Sequence, residues 1–149
     1  MKAMKYAIPA FFSCMLAACG SSGPSEPART YPYTFLEEKK EIKGFAQKDN
    51  TMQLYTSAQP INLDTLKSFC TDKKKNFSGE GGAFHYVVFF DKKENAVFPN
   101  NPFTALYGFD EAARHVKAYY EYNEINGYSK LCFFEKNSYQ SPVQQFDIK

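Results

Sequence analysis

Four cysteines, two histidines and scattered carboxylates are the side chains of this 149-residue chain that could do chemistry, and their spacing decides how much. The cysteines are Cys14, Cys19, Cys70 and Cys132, so no C-x-x-C pair supplies a redox couple. His85 falls inside an apolar run, and His115 stands beside the apolar side of a periodic segment. Neither has a partner at a metal-ligand spacing such as H-x-x-x-H, so no metal site is expected. No G-x-S-x-G elbow occurs. Gly79-Glu80-Gly81-Gly82 reads as a turn, without the Gly-Lys-Ser/Thr ending of a phosphate-binding loop. Asp110 and Glu111 are adjacent, and helix capping suits them better than acid–base pairing. No cofactor is implied and no catalytic residue is marked. An enzyme built on this chain would have to gather carboxylates from distant segments, with His85 as its imidazole.

The one specific pattern lies at the start. Lys2 and Lys5 precede a mostly apolar run from Ala7 to Ala18, shorter than the roughly 20 residues that span a bilayer. It ends in Leu16-Ala17-Ala18-Cys19, followed by Gly20-Ser21-Ser22-Gly23. Leu, two small residues and Cys behind an apolar run resemble the lipobox of bacterial lipoprotein precursors. The resemblance covers this segment alone. It implies that residues 1–18 are a signal peptide and that the Cys19 thiol receives a diacylglycerol. Cleavage then precedes Cys19, and its new N-terminus is acylated. Several acyl chains hold firmly, because each buried methylene contributes about 0.8 kcal/mol. Gly20, where Asp would retain a lipoprotein at the inner membrane, implies sorting to the outer membrane with the domain facing the periplasm. Cys70 and Cys132 would remain in an exported domain, which suggests a disulfide. Two separately buried thiols are the alternative.

Removing Lys2 and Lys5 from the 18 basic residues leaves 16, against 16 acidic ones. A neutral mature chain offers no overall field for nucleic acid or an anionic membrane. Residues 19–30 carry Gly, Ser and Pro and read as the lipidated cysteine with a flexible tether. Residues 31–149 then form a single globular domain.

Within that domain, Tyr33 to Ile42 reads as an edge strand, with a short helix as the alternative, and Thr51 to Ser57 as a strand stopped before Pro60. Asn62 caps a helix whose apolar face is Leu63, Leu66, Phe69 and Cys70, and whose end carries Lys73-Lys74-Lys75. Phe84 to Phe90 lacks polar alternation and reads as a strand covered on both faces. Ala96 to Phe98 would return as its hairpin partner. Asp110 then caps a second helix, with Ala112, Val116, Tyr119 and Tyr120 inward and Gly127 closing it. Tyr128 to Glu135 is a last strand, with Leu131 and Phe133 facing away from Cys132 and Phe134. The expectation is an α+β fold: one mixed or antiparallel sheet with two helices, resembling the ferredoxin-like βαββαβ arrangement.

Fifteen Phe and 11 Tyr, with no Trp, leave more rings than a small core obviously needs. One helix cannot bury Tyr119, Tyr120 and Tyr122 together, because they span over half its circumference. Phe103, Tyr107 and Tyr122 are therefore the candidate binding surface, for an envelope protein or a glycan. The chain reads as a membrane-anchored cell-envelope lipoprotein with a non-enzymatic binding domain, of inhibitor or immunity type. A periplasmic hydrolase using dispersed acidic residues is the alternative.

Overall fold

The computed structural model describes residues 29–42, 49–77, 83–138 and 140–149. The expected signal segment, Cys19, most of the expected tether and the expected turn at Gly79-Glu80-Gly81-Gly82 lie outside these described residues. Six strands form one sheet in the order of the sequence: β1 (Tyr33–Glu41), β2 (Asn50–Ser57), β3 (Phe84–Phe90), β4 (Val116–Asn123), β5 (Ser129–Phe133) and β6 (Gln144–Asp147). Helix α1 (Leu63–Phe77) carries the chain from β2 to β3, which therefore pair in parallel. Every other neighbouring pair is antiparallel. Asn62 does cap α1: its Oδ1 accepts the Thr65 amide at 3.0 Å.

Each face of the sheet has its own core, and strand alternation sorts residues between them. Val87, Phe89, Tyr120 and Leu131 turn toward α1 and pack against its Leu66, Phe69, Cys70 and Phe77. Met52, Leu54, Tyr86, Val88 and Phe90 turn to the other face. No long helix covers that face among the described residues. The loop between β3 and β4 does so, through Phe103, Tyr107 and Ala113. This is why β3 lacks polar alternation: both of its faces are roofed.

The expected α+β arrangement with two helices is corrected at the segment after Asp110. It makes one short 3-10 turn, Glu111–His115, and then strand β4. Val-Lys-Ala-Tyr-Tyr-Glu-Tyr alternates with period 2, burying Val116, Ala118, Tyr120 and Tyr122. The tyrosines that no helix could bury together are sorted by a strand instead. β4 pairs with β3 on one side and β5 on the other, a non-local gain that outweighs the local helix signals. With one α-helix among the described residues and sequential strand order, the sheet is not ferredoxin-like. Ala96 to Phe98 is also not a strand but part of the covering loop. The unassigned tail supplies β6, paired with β5.

The sheet and both cores are built from residues between Tyr31 and Ile148. No helix among the described residues is long and apolar enough to cross a membrane.

Candidate functional site

Because β2 and β3 run parallel, their carboxyl ends emerge side by side, and the connection into α1 leaves from the same edge. Ligands of open sheets with such crossovers bind beyond these strand ends. A cleft of about 410 Å³ opens there. The β2–α1 connection, Ser57 to Ile61, forms one wall. Phe90 and Asp91 at the end of β3, Lys117 on β4, and Phe133 to Glu135 at the end of β5 form the rest. Rings and Ile61 supply an apolar floor, while Asp91, Glu135 and Lys117 place two carboxylates and one ammonium on it.

Asp91 is held by a network. Asn95 Nδ2 donates to its Oδ1 at 2.8 Å, and its Oδ2 lies 3.1 Å from His115 Nδ1. The Asp91 amide donates to the His115 carbonyl at 3.0 Å, which fastens the end of β3 to the start of β4. Burial pushes the Asp91 carboxyl upward, but the bonds from Asn95 and His115 outweigh it and hold the group below the usual carboxylate range. It is a fixed, ionised acceptor at the cleft. Lys117 Nζ donates to the Lys136 carbonyl, which ties the opposite wall together. Such a surface accepts hydrogen bonds from an amine, guanidinium or hydroxyl while packing an apolar group on Phe133 and Phe134.

His85 takes no part in this cleft. It is 1% exposed, and its ring stacks on Phe77 at 4.4 Å in the helix-side core. No group of three or more His, Cys, Asp or Glu that could hold a metal ion occurs among the described residues.

The candidate binding rings are all buried. Phe103 packs edge-on to Tyr86 beneath the covering loop. Tyr107 donates from its hydroxyl to the Val97 carbonyl at 2.8 Å, and its ring meets Phe90. Tyr122 lies on the helix side, stacked with Phe77 and beneath Lys74. They belong to two cores on opposite faces and form no common surface. The exposed ring of that loop is Phe109, which is 99% exposed. Gly108, with φ +50, and Leu106, with φ 48, turn the chain so that Tyr107 enters the core while Phe109 leaves it. Two rings separated by a single glycine and pointing apart are not a signal that composition carries.

Cys70 and Cys132 are free, buried thiols. Cys70 packs in the helix-side core, whereas Cys132 follows Leu131 and pairs across with Tyr119 on the other face. The sheet stands between them, so the expected disulfide gives way to the alternative of two separately buried thiols.

Sequence inspection also missed Glu121, a carboxylate on the inner surface of a second concavity near Tyr86 and Tyr128. Burial raises its pKa, opposed by a hydrogen bond from the Tyr128 hydroxyl at 3.2 Å. No protein-family model matches this chain, and no curated protein or solved structure matches it either.

Proposed function

We propose that this chain is a cell-envelope lipoprotein, anchored through Cys19 at the periplasmic leaflet of the outer membrane, whose domain binds an envelope protein or glycan without catalysis. The anchoring half rests on Leu16-Ala17-Ala18-Cys19 and the apolar run before it. The binding half rests on one observation: the 410 Å³ cleft, whose lining sets Asp91, its carboxylate held by Asn95 and His115, beside Phe90, Phe133 and Phe134. An ionised acceptor locked by Asn95 and His115 is pre-organised, so a ligand donor meets it with little ordering cost. An inhibitor or immunity role is the narrower version, since a lipid-held binding domain can guard the periplasm against an exported toxin or lysozyme.

The hydrolase alternative uses dispersed acidic residues, with His85 as a candidate imidazole beside them. Asp91 and Glu135 do share a cleft, but His85 lies in the core against Phe77, and Asp91 is engaged by Asn95 and His115. These features support binding over hydrolysis.

The test is capture from detergent-solubilised membranes with the wild-type chain and with Glu135→Lys, a variant that inverts charge at the cleft. Binding through the cleft predicts a stoichiometric partner retained by wild type and reduced at least tenfold with the variant. Equal recovery with both would place the binding elsewhere.

A further inference from the structure

The chain enters its domain against the last half of α1. Tyr31 packs edge-on to Phe69 with ring centroids 5.2 Å apart and donates from its hydroxyl to Asp72 Oδ2 at 2.5 Å. This seating brings Arg29 to the same place as the lysines of α1. A hollow of about 340 Å³ is lined there by Arg29, Tyr31, Phe69, Asp72, Lys73 and Lys75. Three of these side chains are cationic and one is anionic. The helix dipole accounts for lysines in the last turn of α1. It does not account for Arg29, which arrives from another segment. Lys75 pairs with Asp72 Oδ1 at 3.3 Å at the exposed surface, so Arg29, Lys73 and Lys75 against Asp72 leave the hollow with an excess of positive charge where the tether leaves.

Gly20 to Arg29 is ten residues, which extend to at most about 36 Å. A lipid on Cys19 would therefore hold Arg29, Lys73 and Lys75 near the headgroups of the bilayer. Attraction to anionic lipid amounts to roughly fivefold in partition for each basic residue close to the surface.

We propose that the Arg29–Lys73–Lys75 hollow is the face by which the domain rests on an anionic phospholipid bilayer, the cations meeting lipid phosphates. The proposal deepens the lipoprotein reading and rests on it for proximity. It gives the anchored domain an orientation, with α1 toward the membrane.

The test uses the chain from Gly20 to Lys149, which contains every described residue and has no acyl chain. Its partition is measured by sedimentation onto phosphatidylcholine vesicles with and without phosphatidylglycerol. The expected result is about tenfold stronger binding to the anionic vesicles, weakening as salt is added. Arg29→Glu with Lys75→Glu should abolish the preference. This pair spares Lys73, whose ammonium bonds Gln53 Oε1 at 3.0 Å and lies over Tyr55 and Phe69. Thermal unfolding of the double variant should fall by only a few degrees, since the Lys75–Asp72 pair that it removes is exposed. Equal partition onto both vesicle types, or a preference that survives the double substitution, would overturn the proposal. Since this chain lacks Cys19, neither result depends on lipidation. Acylation of the full chain is read separately from fatty-acid incorporation at Cys19, so failure of the anchor and failure of the docking face are distinguishable.

Discussion

Cys70 and Cys132 lie on opposite faces of one sheet, Cys70 against Leu66 and Phe69 on the α1 side, and Cys132 opposite Tyr119 on β4. Burial pushes the Cys70 thiol far above its ordinary value, so it is neutral and inert in the folded domain. Thiol labelling of the denatured, unreduced protein should find both cysteines free, and labelling of the native protein should leave Cys70 untouched. A reagent-resistant pair after denaturation would show a disulfide, and with it a different packing of α1.

The tyrosines make the fold sensitive to alkali. Burial raises the phenols of Tyr33 and Tyr55 to about 12, and those of Tyr86, Tyr107, Tyr119 and Tyr120 rise also. A raised folded pKa contributes stability that is fully present below the unfolded value near 10 and is lost as pH climbs through the folded value. The domain should therefore hold its stability up to about pH 10 and unfold before most of its phenols ionise. With no Trp to obscure it, most of the tyrosinate absorbance should rise in one cooperative step coincident with loss of circular dichroism, beyond a smaller gradual rise from exposed rings such as Tyr128. Gradual ionisation near pH 10 would mean that these rings are solvated.

In the loop between β3 and β4, burial separates structural rings from the free one. Phe103→Ala should destabilise by about 3–5 kcal/mol, because it empties a packed position beneath Tyr86. Phe109→Ser should change stability by no more than about 0.5 kcal/mol, since that ring touches solvent. Urea unfolding of the two variants measures both, and a large loss for Phe109→Ser would mean the ring packs somewhere.

How far the sequence carried the fold depended on whether the deciding interaction was local. Helix α1 was legible because its cap, its apolar spacing and its terminal lysines all lie within the helix or beside it. Strand β3 was legible because β-branched and aromatic residues run through it without interruption. β4 was not, since Ala112, Val116, Tyr119 and Tyr120 also fit a helical face, with Asp110 and Gly127 posing as caps. Pairing with β3 and β5 decided it, and β3 is distant in sequence. The crowding of Tyr119, Tyr120 and Tyr122 was the available clue against a helix. The cleft was illegible for the same reason: Ser57, Asp91, Lys117 and Glu135 come from four separate segments that only the sheet brings together.

Metabolic labelling with a fatty acid, applied to the wild-type chain and to Cys19→Ala, tests the anchored account most directly. The account predicts label on the wild-type chain and none on the variant, which should persist as an unprocessed precursor because no other thiol follows an Ala-Ala step. A wild-type chain that takes no label, or a variant that still takes it, would contradict the anchor at Cys19.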